Sequence, residues 1–512
     1  MTKLFQNLSH RKRATSPFQI PQLVLLLQSE KALEKHLKST QKAQFAYSDH
    51  QPTEMSSTNK SAVLTLLHTC CGSGILALPF AFKANGLILS VLTIFFSGFC
   101  ALSGLLCQAE ITKYVRNKRN LSFFAVSKIT YPSLGVFFDM AIAVKCFGVS
   151  VSYLIVAGDL LPQIFQTFTS NSFFHHRELH ILTLSIFVIG PLCFLRKLGS
   201  LKIASMVAIS SVVYLCFMVV LNFLFPSADV KALKGTVSLW KPSLHFQDTN
   251  SLKSFPIFVF AYTCHHNTFS VINELQNNTL KSIRTIAISA MGLACILYTA
   301  IGISGYLTFG DNIKGNIITM YPSSILTTIG RIAIVVLVTL AFPLQCHPCR
   351  ASIHHIYEHF ASSNLDKNSQ HAAGTATSRN YLPAGEHNPL IATVSPTPTD
   401  ELIEEGSSKV TTSELNSKTF TLITCSILCA SLLLAISVKS LATMLSIVGA
   451  TGSTSIAFIL PGLFAHNLIG SEYRQTRTKL PTWTKVKKNL ALGLSFWGVC
   501  VMVTALSSTL FF

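Results

Sequence analysis

The sequence predicts an all-α polytopic membrane protein with about eleven transmembrane helices. Apolar runs of about twenty residues recur along a chain that is 49% hydrophobic and only 12% charged. Two of those runs are interrupted near their centres, at matching places in two successive groups of five. A third observation orients the chain: lysine and arginine concentrate in alternate loops.

In order, the spans fall at about 61–82, 87–108, 136–158, 179–195, 201–225, 254–275, 284–309, 325–345, 420–438, 441–464 and 490–511. The net charge of +19 sits largely in short loops beside apolar runs, a pattern that fixes membrane orientation and argues against nucleic-acid binding. With a cytosolic N-terminus the inside loops carry Lys113, Arg116, Lys128, Arg196, Lys485 and Lys487 among others, about twice the outside total. The C-terminus then lies on the far side. Four regions follow. Residues 1–58 form a basic, mostly disordered cytosolic tail without a secretory signal, and 59–357 hold spans 1 to 8. Residues 358–418 form a disordered polar cytosolic connector, and 419–512 hold spans 9 to 11. Within the tail, residues 21–38 have an amphipathic pattern. The fourteen cysteines follow no regular spacing and read as small core residues of a helix bundle.

The first span is the distinctive one. Cys71-Gly72-Ser73-Gly74 sits at its middle and Pro79 near its end, so helix continuation is weakened and a backbone donor withdrawn. Unpaired backbone in hydrocarbon costs several kcal/mol per group, so such a break persists only where protein, water or a ligand satisfies it. A kinked span or a small-residue packing face is the alternative. The sixth span repeats the feature. Apolar residues up to Tyr262 give way to Thr263-Cys264-His265-His266-Asn267-Thr268 before apolar character resumes at Phe269. Paired broken helices point to a secondary transporter built from inverted repeats.

The chemistry of a helix break suits an amino acid. Free N–H groups and the positive dipole end at Cys71, Gly72, Ser73 and Gly74 favour a carboxylate, with the Ser73 hydroxyl as a further donor. Carbonyls freed around Tyr262, Thr263 and Cys264 favour an ammonium group or a cation. His265 and His266 are candidate proton carriers or structural histidines, and Asn267 is a candidate gating residue. Lys145, central in span 3, finds neither Asp139 nor Asp159 at helical i,i+4 spacing. It must pair across helices, meet carbonyls, or face the cavity deprotonated. Cys346-His347-Pro348-Cys349 caps span 8 beside Arg350, with no strand–helix unit to make it redox-active. No phosphate-binding loop, metal cluster or nucleophile elbow is present, which disfavours a pump or an enzyme and implies no cofactor.

Long motifs carry a family resemblance. They are Ser61 through Lys83, Ala143 through Val149, Phe260 through Asn267, Phe342 through Arg350, and Ile447 through Thr454. Together they resemble the amino acid/auxin permease family, and within it the fungal vacuolar amino-acid transporters of the Avt group, particularly exporters of acidic amino acids. The resemblance implies a LeuT-like fold of 5+5 inverted repeats plus one helix, set in the vacuolar membrane. It implies proton-gradient-driven movement of L-amino acids, with the N-terminus cytosolic and the C-terminus lumenal. The expected partners are thus lipid, L-amino acids and protons. The chain departs from the family pattern before Met55. Two alternatives remain open: an amino-acid sensor using the same site, and a carrier of neutral or basic amino acids. Lys145 is the cationic group expected to select acidic side chains.

Overall fold

The computed structural model describes residues 57–115, 121–195, 201–241, 250–376 and 416–510. The expected amphipathic stretch at 21–38, much of the basic loops and most of the polar connector lie outside these residues. Nine helices are long and apolar enough to cross a membrane, among the described residues. A tenth span is the bent pair α1 (Asn59–Cys70) and α2 (Gly74–Asn85), whose axes differ by 53°. The short helices α3 (Asn250–Ala261) and α4 (His265–Asn273) occupy the place expected for the sixth span, joined by the non-helical stretch Tyr262–Cys264. Up to ten spans are thus long and apolar enough to cross among the described residues, against the eleven expected. Among the described residues the only β-pairing is an isolated bridge between Ser57 and Leu275.

Local signals set the ends. Thr58 caps α1, its hydroxyl accepting from the Ser61 N–H. Gly86 turns the chain between α2 and span 2 (Leu87–Ile111) with φ 77°, a conformation glycine adopts without a Cβ penalty. Gly310 (φ 54°) ends span 7 (Leu280–Phe309), packed so tightly on Gly235 that a side chain would collide with its backbone. Span 3 (Gly135–Phe168) runs through the interior, enclosed by spans 8, 9 and 10. Large apolar side chains on the outer faces, such as Phe99, Phe187, Leu422 and Phe496, are exposed as lipid requires. Most cysteines are buried or half-buried as expected, but Cys425 and Cys429 project from the exposed face of span 9 (Ser417–Ser437).

The first break falls at the expected centre, Cys71–Ser73, and Pro79 is absorbed within α2. Other expectations need correction. The second break is shorter than its polar stretch, because helix resumes at His265 and takes up His265–Thr268 in the first turn of α4. Span 8 does not end at Gln345. It continues as one helix, Ile325–Ala376, through Pro343 and Pro348, so the region expected to be irregular from Glu358 is helical to Ala376. The Cys346–Cys349 pair is therefore mid-helix: the Cys349 thiol donates to the Ala143 carbonyl at 3.6 Å, and Arg350 reaches the Cys193 carbonyl and Thr424. Span 10 is also less regular than its apolar sequence suggests. Leu441–Val448 is followed by π turns at Gly449–Ser453 and Ser455–Ile459, then Leu460–Leu468.

Candidate functional site

The two breaks pack against each other. A Cβ on Gly74 would stand 3.0 Å from the Phe260 ring and 3.1 Å from Ala261 Cα, tighter than ordinary contact, so a side chain here would push the two breaks apart by a few tenths of an ångström. Neither Gly72 nor Gly74 has a positive φ; each is there for room. At Gly72 a Cβ would meet the Tyr153 hydroxyl at 2.9 Å. The Cys70 thiol donates to the Tyr262 carbonyl at 3.7 Å, and the Tyr298 hydroxyl donates to the Ala261 carbonyl at 2.6 Å. Tyr262 and Tyr298 cross edge-to-face at 4.9 Å. These contacts seal the centre: Ser73, Tyr262, Thr263 and Cys264 are all buried.

Backbone polarity converges on this centre. Cys71 and Gly72 N–H groups are spent on Leu67 and Cys70 carbonyls, whereas those of Ser73, Gly74 and Ile75 find no backbone acceptor among the described residues. They form the positive end of α2. The Ser73 and Ser152 hydroxyls share a hydrogen bond of 2.7 Å. Ser152 lies seven residues beyond Lys145, two turns along the same face of span 3.

Lys145 solves its pairing problem across helices. Its Nζ lies 3.0 Å from both ring nitrogens of His266 and donates to Gln345 Oε1 at 3.2 Å. No carboxylate lies within ion-pair distance of it among the described residues. Asp139 and Asp159 are engaged elsewhere, by His355 and Arg177. Span 10 sustains this position, since a Cβ on Gly452 would come within 2.6–2.8 Å of the Lys145 backbone and Cβ.

The two histidines diverge. His266 joins the lysine and lines a cavity, while His265 Nε2 donates to the Ala101 carbonyl of span 2 at 2.9 Å. Gln108 holds the His265 carbonyl in turn. Asn267 crosses to span 1, donating to Thr69 Oγ1 at 3.1 Å. Gln345, Ser152 and Gly452 were not among the expected site residues. Seven-residue spacing from Lys145 marks Ser152, and a lone amide in an apolar run marks Gln345.

Two cavities flank the closed centre. On the N-terminal side one of about 390 Å³ lies between α1 and α4, lined by His68, Thr69, His266, Asn267 and Glu274. On the opposite side one of about 830 Å³ lies between α2 and α3, lined by Lys83, Lys241, Lys253 and Asp311 with serines of span 10. There Lys241 bridges Asp311 at 2.7 Å, and the Thr236 hydroxyl donates to the same carboxylate. On the N-terminal side Glu110 joins spans 2, 7 and 11 through Arg284, Lys113 and Lys487.

Two opposed vestibules meeting at paired helix breaks define an all-α polytopic carrier architecture. Comparison with known sequences agrees. The family model described as transmembrane amino acid transporter protein matches residues 55–507, and the chain belongs to that family. It is 52% identical over 452 residues to vacuolar amino acid transporter 6 of Saccharomyces cerevisiae, covering 88% of this chain and 98% of that protein. Vacuolar amino acid transporter 5 of the same yeast is 47% identical over 471 residues, covering 89% and 99%. The Schizosaccharomyces pombe protein named vacuolar amino acid transporter 5 is 35% identical over 453 residues, covering 87% and 93%.

Proposed function

We propose that the protein is a secondary amino-acid transporter of the vacuolar membrane, working by alternating access and exporting acidic amino acids to the cytosol with the proton gradient. The carrying observation is the closed centre between two vestibules, where a helix N-terminus, the non-helical backbone at Tyr262–Cys264 and the Lys145–His266–Gln345 cluster converge. The α-carboxylate binds the N–H groups from Ser73 to Ile75 with the Ser73 hydroxyl, and the ammonium group binds carbonyls around Tyr262–Cys264. Lys145 draws a side-chain carboxylate, and the lysine–imidazole contact passes a proton toward the N-terminal vestibule. His265 is a positioning residue that fixes α4 on span 2. No bound cofactor is required. Loop charge supports a cytosolic N-terminal vestibule, and the names of the yeast relatives support the vacuolar membrane.

Flux of labelled glutamate, histidine and leucine in sealed vacuolar vesicles, with and without a proton gradient, tests this reading. Wild type should carry glutamate in a gradient-dependent manner, Ser73→Tyr should abolish flux, and Lys145→Met should erase the preference for glutamate over leucine. An unchanged preference in Lys145→Met contradicts the role of the lysine. No flux from folded wild-type protein in the vacuolar membrane contradicts a carrier and favours a sensor.

A further inference from the structure

A third cavity, of about 510 Å³, opens on the face opposite the N-terminal side. It lies between the end of span 3, the start of span 4 (Arg177–Phe194) and the links that follow spans 7 and 9. Asp159 Oδ1 accepts from Arg177 Nε at 3.1 Å, and Arg177 Nη1 donates to the Ala435 carbonyl at 3.1 Å. Arg177 Nη2 is buried without a partner among the described residues, as is Gln163 Oε1. Asn316 is only 4% exposed, its amide lies beside the Asp159 carboxylate, and its Oδ1 has no hydrogen-bond partner among the described residues. Lys314 and Lys439 stand exposed at the rim, unpaired with any acid among the described residues.

The pattern of unmet groups specifies the ligand. Buried donors and buried acceptors lie together, and natively such groups find partners. A bare anion would satisfy Arg177 and the lysines but would set its charge against Asp159 and the Gln163 oxygen. A bare cation would meet those oxygens beside three positive side chains. A zwitterion meets both sets. We propose that this cavity is a second binding site for a free α-amino acid, distinct from the helix breaks. The carboxylate takes Arg177 Nη2 with Lys314 and Lys439, and the ammonium group takes Gln163 Oε1 and Asn316 Oδ1. Ser440 lines both this cavity and the 830 Å³ vestibule, so the two sites are neighbours on one face. Occupancy ties the outer end of span 3 to the links before spans 8 and 10. It therefore favours whichever arrangement keeps these elements together, and couples amino acid on that side to the transport cycle.

Equilibrium dialysis of the full chain in lipid nanodiscs tests the site, with labelled glutamate or leucine as probe and inorganic phosphate as competitor at fixed ionic strength. Wild type should bind two amino acids per chain. Ser73→Tyr should bind one, the double variant Gln163→Leu/Asn316→Leu should bind one, and their combination none. The exposed pair Lys314→Ser/Lys439→Ser, which leaves the interior untouched, should weaken the second site about threefold to tenfold. One site in wild type, lost in Ser73→Tyr and insensitive to the other variants, overturns the second site and leaves the proposed transport site standing. One site that survives Ser73→Tyr and disappears with Gln163→Leu/Asn316→Leu upholds the second site and contradicts the central one. Displacement from the second site by phosphate, or an affinity unchanged in the lysine pair, overturns its assignment to a zwitterion.

Discussion

Replacing Gly74 with alanine places one methyl group between the two broken helices. Its carbon would lie 3.0 Å from Phe260 Cδ1, 3.1 Å from Ala261 Cα and 3.2 Å from Phe260 Cε1. Ordinary carbon contacts sit at about 3.5–4.0 Å, so each is short by roughly half an ångström. Phe260 cannot simply swing aside, because the backbone of Ala261 is part of the same contact and its carbonyl is held by Tyr298. Overpacking of this kind costs about 1–3 kcal/mol. Relief of glycine's backbone entropy returns at most about 0.5–1 kcal/mol. The net effect is destabilisation of about 1–2 kcal/mol where the halves must move past each other, and turnover slower by about tenfold. Gly292→Ala is the matched control, since a Cβ there meets nothing within 4 Å. It should leave flux unchanged and the protein slightly more stable. Thermal unfolding in detergent and initial glutamate flux in proteoliposomes read both effects. Gly74→Ala with flux within twofold of wild type and an unaltered unfolding temperature would refute the close approach of the two breaks.

Other substitutions probe the supports. Gly452→Ala drives a methyl onto the backbone of Lys145, which has no rotamer by which to escape, so stability should fall by about 3 kcal/mol or more, read as loss of folded protein on size exclusion. Glu110→Gln removes the carboxylate shared by Arg284, Lys113 and Lys487. Because two of those cations are well exposed, the loss should be modest, about 1–2 kcal/mol by chemical denaturation, and smaller at high salt. Asn267→Leu removes the hydrogen bond to Thr69 across the N-terminal vestibule, worth about 0.5–1.5 kcal/mol. Labelling of a cysteine introduced at Ser270, on the same vestibule, should rise by about twofold to tenfold.

Much of the architecture was legible because hydrocarbon permits few backbone solutions. Apolar run length marked the nine long membrane helices, and small or polar residues at the centre of two further runs marked the breaks. Their exact form was not legible. The polar run from Thr263 to Thr268 overstates the second break, because His265 and Asn267 find partners on spans 2 and 1 while remaining helical. Pro79 sits inside α2 without interrupting it, and the departure from helix lies where the glycines stand, at Cys71–Ser73. The apolar run ends at Gln345, yet the helix continues and places the amide on Lys145. The partners of Lys145 come from spans 6 and 8, more than a hundred residues away, a relation no local pattern carries. The π turns of span 10 left only the glycines Gly449 and Gly452 as a trace.

The central claim is that the breaks separate two vestibules that open in turn. Ser270→Cys reports the N-terminal vestibule and Thr443→Cys the opposite one. Each would be labelled in proteoliposomes by a membrane-impermeant maleimide from its own side, with site occupancy read by mass spectrometry. Saturating glutamate with a proton gradient of one sign should raise labelling at one position and lower it at the other, and the opposite gradient should reverse the pattern. Labelling at both positions that ignores substrate and gradient would contradict the account.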